Sequence, residues 1–155
     1  MNCIHHRPAF GVTCVALATL MVGCAGKPQV AEQQPNRRLV SEFVHEFYDQ
    51  RDVRGAFERY VALDYIQHNP NIPDGREAAI VALTPLFANR DMHLEVRHVV
   101  VDGDMAVVHL LARESPTARE AAVADVFRIQ AGKIVEHWDI IQVAPDHSVN
   151  PHPLF

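Results

Sequence analysis

Two periods divide the chain. From Arg37 to Gln50, Leu39, Val40, Phe43, Val44 and Phe47 recur at helical spacing and leave Ser41, Glu42, Glu46 and Asp49 for solvent, which predicts an amphipathic helix. Val53 to Ala62 repeats the pattern with Ala56, Phe57, Tyr60 and Val61, a second short helix packed beside the first. Leu63 to Pro73 interrupts it with two prolines and two asparagines, so an extended piece carrying Tyr65 and His68 is expected there. Asp74 and Glu77 then have capping-box spacing for a third helix through Ala78, Ala79, Val81, Ala82, Leu83, Leu86 and Phe87. Pro85 predicts a kink or an end near Thr84.

From His93 the period becomes two. His93 to Val101 and Asp104 to Arg113 read as strands around Asp102-Gly103, a hairpin signal. With a two-residue loop His98 faces Val107 and Val96 faces His109, and both histidines share a face with Leu94, Val96, Val107 and Leu111. After a connection from Glu114 to Glu120, a second hairpin spans Val123 to Gln142 and turns at Ala131-Gly132. A two-residue loop there sets Phe127 opposite Glu136 and Asp125 opposite Trp138. One face then reads Val123, Asp125, Phe127, Ile129, Ile134, Glu136, Trp138 and Ile140, and the other Ala124, Val126, Arg128, Val135, His137, Asp139 and Ile141. A three-residue loop sets Asp125 opposite His137, and the pattern leaves both open. Three helices followed by four antiparallel strands make an α+β architecture, in which a strongly curved sheet folded round the helices encloses a pocket. Residues 144–155, with three prolines, predict an irregular surface tail.

Composition adds an appendage and removes some partners. At 155 residues and 48% hydrophobic content the chain fits one domain with a short extension. A net charge of -5, with no basic run longer than Arg37-Arg38, argues against nucleic acid. Met1 to Pro8 holds one Arg and no acid, and the apolar run Ala9 to Gly23 is short of the roughly 20 residues a membrane span needs. Residues 1–23 therefore read as a signal peptide. Met21-Val22-Gly23-Cys24 resembles a bacterial lipobox, which makes Cys24 the lipidation candidate and the lipid on it the only membrane contact. The expected location is the periplasmic side of a membrane; ordinary signal cleavage, giving a secreted or periplasmic soluble protein, and an uncleaved anchor are the alternatives. Residues 24–36, polar and rich in Gln and Pro, read as a flexible tether, and residues 37–143 as the folded domain.

Tyr65-Ile-Gln-His-Asn-Pro70, Gly75-Arg-Glu-Ala78 and the stretch Asp125 to Asp139 resemble the SnoaL-like polyketide cyclases of the nuclear transport factor 2-like superfamily, over roughly Arg37 to Val143. The resemblance implies a conical α+β barrel of three helices on a four-stranded, mainly antiparallel sheet with a deep cavity. It also implies cofactor-free acid/base chemistry, with a strand aspartate as general base in an intramolecular aldol cyclisation. Asp125 is the matching position, and His109 resembles the family's strand histidine that polarises a carbonyl or relays the proton. The fold also serves isomerases and non-catalytic binding modules.

The residues give a parallel reading. A carboxylate among Val123, Phe127, Ile129 and Trp138 loses hydration and becomes a stronger proton acceptor, suited to a carbon beside a carbonyl. The bland alternative pairs Asp125 with a neighbouring Arg or His as a structural charge. Tyr65, His68, Asn69, His98, Phe127, Trp138 and Phe47 are the expected cavity lining, and core packing is the alternative for most of them. His137 and Asp139 fall on the outer face in the two-residue register. No His-Glu-x-x-His or close His triplet occurs, so no metal is expected, and no cofactor. The expected ligand is a small apolar carbonyl compound, turned over by aldol cyclisation or isomerisation; an exported lipoprotein that only binds such a ligand is the second reading. An ion-paired or solvent-facing Asp125 would switch the reading to the second. A homodimer is expected through the outer sheet face, using Val126, Val135 and Ile141.

Overall fold

A computed structural model describes residues 29–155. The expected signal peptide and Cys24 lie outside the described residues. Helix α1 (Gln29–Val44) starts well ahead of Arg37, so residues 29–36, read above as tether, are helical. It runs into one π turn (His45–Asp49), in which the Gln50 N–H donates to the His45 carbonyl at 3.0 Å. Such a turn inserts one residue into the helical repeat. As a result Glu46, Phe47 and Tyr48 are all buried. Glu46, expected in solvent, instead receives the Arg59 guanidinium at 2.8 Å. Gly55 leaves room for that carboxylate, since a Cβ at this position would lie 2.6 Å from Glu46 Oε1.

Asp52 caps helix α2 (Val53–Tyr60) by accepting the Gly55 N–H at 2.9 Å. The helix ends at Tyr60 because Val61 is already extended, and the expected extended piece is a strand, β1 (Val61–Gln67). Helix α3 (Arg76–Ala88) opens from Gly75 with φ 92 and no side-chain cap. The capping box does not form: Asp74 accepts the Gln67 N–H at 2.7 Å, and Glu77 pairs with Arg54 at 2.8 Å. Pro85 does not end the helix, which continues to Ala88.

Strands β2 (His93–Asp102), β3 (Met105–Arg113), β4 (Ala121–Gln130) and β5 (Lys133–Val143) complete a sheet ordered β1-β5-β4-β3-β2. The sheet has five strands where four were expected, because β1 pairs in parallel with the distant β5. All other pairings are antiparallel. The helices cover one face, where Val40, Phe43, Phe57, Ile80, Val108, Leu110 and Ile134 are at most 2% exposed. Burying side chains of this size stabilises by about 1.5–3 kcal/mol each.

Each hairpin carries one bulge. In β4–β5, Ala131 (φ 50) and Gly132 (φ 73) form the expected two-residue turn, with Gln130 opposite Lys133 and Ile129 opposite Ile134. Val135 is then the extra residue, and the pairs beyond it are Arg128 with Glu136, Phe127 with His137, Val126 with Trp138 and Asp125 with Asp139. In β2–β3 the turn falls at Gly103-Asp104, one residue later than expected, and His98 pairs with His109. Arg97 is the extra residue, after which Val96 pairs with Leu110.

Candidate active site

The bulge at Val135 decides which side chains reach the core. Because of it His137 and Asp139, placed on the outer face by uninterrupted alternation, project inward beside Asp125, and Trp138 projects outward. A cavity of about 210 Å³ lies between helices and sheet. Asp125, His137, Asp139, Tyr48, Tyr65 and Asn69 bring polar atoms to its wall, among apolar residues that include Phe47, Phe57, Leu83, Phe87, Leu110 and Phe127. A more open depression of about 530 Å³ beside the β4–β5 turn is lined by Arg128, Asp104 and neighbouring residues, and contains none of these buried polar groups.

Asp125 is 9% exposed and His137 8%. Hydrogen bonds replace the hydration that the carboxylate loses. The Tyr48 hydroxyl, brought inward by the π turn, donates to Asp125 Oδ2 at 2.5 Å. Burial, and next the charge of Asp125, push the Tyr48 phenol well above its ordinary range, so it remains a donor. Tyr65 is raised for the same two reasons. Asp125 Oδ1 lies 3.2 Å from His137 Nε2.

The proton on the other ring nitrogen is fixed by its neighbours. The Asn69 backbone N–H, which can only donate, points at Gln67 Oε1 at 3.0 Å, so that oxygen is an acceptor. It lies 2.8 Å from His137 Nδ1, which must therefore carry a hydrogen. A second network holds Asp139: Asn69 Oδ1 accepts the Asn71 N–H at 2.8 Å, which turns its Nδ2 to donate to Asp139 Oδ2.

Of the residues expected to line the cavity, Tyr65, Asn69, Phe127 and Phe47 do so, together with Asp125. His98, His109, His68 and Trp138 do not. His98 and His109 stack on the outer sheet face, ring centroids 5.7 Å apart, because the Arg97 bulge separates them from the inward-facing Leu94 and Val96. His68 stacks on Trp138 at 4.7 Å, also outside, and its Nε2–H donates to Glu136 Oε1, 2.8 Å away. That contact first, and Arg128 second, hold the Glu136 carboxyl below the usual range. Ile141, expected on the outer face, lines the cavity mouth. Tyr48, Gln67, His137 and Asp139 were missed as site residues. Among the described residues no group of three or more His, Cys, Asp or Glu is arranged to hold a metal ion.

A small α+β domain with a helix-covered mixed sheet and an acid-bearing cavity is the nuclear transport factor 2-like class, and solved structures share it. An NTF2-like protein from Mesorhizobium loti is 16% identical with a TM-score of 0.62, over 72% of this chain and 93% of that one. A candidate SnoaL-like polyketide cyclase from Jannaschia sp. CCS1 is 20% identical with a TM-score of 0.59, over 75% and 91%. IdmH, a candidate polyketide cyclase from Streptomyces antibioticus, is 25% identical with a TM-score of 0.53, over 70% and 91%. No curated protein matches the sequence. The family model of the SnoaL-like domain matches residues 40–137, and the chain belongs to that family.

Proposed function

We propose that the cavity carries out cofactor-independent acid/base chemistry on a small, largely apolar carbonyl compound, by aldol cyclisation or isomerisation. The observation that carries this is the Asp125–His137 pair on an apolar cavity wall, 3.2 Å apart, with Tyr48 donating to the second carboxylate oxygen. Asp125 is the proton acceptor. Each of its oxygens has one hydrogen-bond partner and a further lone pair, which a ligand C–H can approach. His137 has both ring nitrogens engaged, so it acts through Asp125 and positions it. His109, on the outer face, is replaced in this role.

Incubation with a small methyl ketone in heavy water tests this without knowledge of the natural substrate. Wild-type protein should speed the loss of the α-proton signal in NMR, and Asp125→Asn should not. Equal exchange in both would sink the assignment.

One observation favours a binding-only pocket: Asp125 is ion-paired. A guanidinium partner would fix its charge, whereas an imidazole can give up its proton, so the pair is compatible with turnover. Tight ketone binding with exchange at the background rate would establish the binding-only reading. For location, we propose an exported lipoprotein anchored through Cys24, supported by the lipobox-like Met21-Val22-Gly23-Cys24. Labelled palmitate should enter the wild type and not Cys24→Ala. A homodimer through the outer face would use Val126 and Val135; Ile141, which lines the cavity, no longer belongs to it.

A further inference from the structure

We infer that the ligand is elongated, with its carbonyl end at Asp125 and an apolar body that leaves the chamber along β4 and β5 and lies in the groove outside. Only the identity of the carbonyl end rests on the function proposed above.

The inner chamber, about 210 Å³, is smaller than the roughly 300–1,000 Å³ usual for small-molecule sites. A groove of about 300 Å³ adjoins it, and Ala112, Glu114, Val123 and Ile141 line both. The connection follows the sheet register. Outward from the pair Asp125 and Asp139, the next inward-facing pairs are Val123 with Ile141 and Ala121 with Val143. Two such steps span about 13 Å at roughly 3.3 Å per residue. The β4 side of this track is covered, with Val123 8% and Ala121 9% exposed, whereas Ile141 is 57% and Val143 49% exposed on the β5 side. Leu86, 45% exposed, lines the chamber. Exposed aliphatic residues scattered singly need no explanation, but a run continuous with a cavity marks a binding groove.

The chain's own tail is not the occupant. The Ala144 N–H donates to the Glu120 carbonyl at 2.8 Å, and Phe155 lies against Arg97 of β2, 5.8 Å from guanidinium carbon to ring centroid, at the far edge of the sheet.

The test is calorimetric titration of wild type, Ile141→Asp and Val143→Asp with methyl ketones from butanone to tridecanone, and with the matching linear alcohols. Wild-type affinity should rise roughly 3- to 4-fold per methylene and keep rising after the chamber is full. Val143→Asp, which lines only the outer groove, should bind butanone as wild type does, and both variants should lose the increments for the longer chains. A wild-type plateau at short length, increments that survive in both variants, or an equal loss at every length would overturn the inference. So would a wild-type dimer that the variants dissociate without altering the length series, which would assign the track to a second copy. Increments with the alcohols and none with the ketones would uphold the track and overturn the carbonyl reading instead.

Discussion

The two hairpins use the same device to opposite ends. Each contains one bulged residue, Arg97 in β2 and Val135 in β5, and each bulge reverses which residues face the helices. At Val135 the reversal brings His137 and Asp139 to Asp125 inside the cavity. At Arg97 it puts Leu94 and Val96 inward and leaves His98 and His109 stacked outside. A histidine's place in this sheet is thus set by whether an extra residue intervenes between it and the turn, since a one-residue slip exchanges the two faces. The same side chain lines the cavity in one hairpin and lies outside it in the other.

Substitutions sharpen or break that contrast. The largest effect is expected from Asp125→Asn, which keeps the shape and removes the acceptor: α-proton exchange of a bound ketone should fall by about 10²–10⁴-fold, as measured by NMR in heavy water. His137→Ala removes one partner of a buried pair and leaves Asp125 to Tyr48 alone. Urea denaturation should show a loss on the order of 3 kcal/mol. Tyr48→Phe deletes only the donor to Asp125 Oδ2, and roughly 2 kcal/mol is expected by the same method. At the other extreme, His109→Ala should change stability by less than about 0.5 kcal/mol and leave ketone affinity unaltered. A large loss of ketone affinity in His109→Ala would break the contrast.

What the sequence made legible follows from regular repetition. The α1 face of Val40, Phe43 and Val44, the Ala131-Gly132 turn and the inward Asp125 all rest on an unbroken period or on local turn chemistry. The parallel pairing of β1 with β5 did not show, because nothing within Val61–Gln67 specifies a partner so far along the chain. Three of the missed site residues, Tyr48, His137 and Asp139, share one cause. The π turn brings Tyr48 inward beside Phe47, and the Val135 bulge brings in His137 and Asp139. The Arg97 bulge separates His98 from the inward-facing Val96. Each is a single inserted residue, which shifts the phase of everything beyond it and leaves no mark in composition. The polar groups of this site meet where the periodicity fails.

The most direct test follows the histidine imidazole signals by NMR while hexanone is added. The signals of His137 should move with saturation, and those of His98 and His109 should stay in place. Movement at His98 and His109 with His137 unchanged would contradict the account.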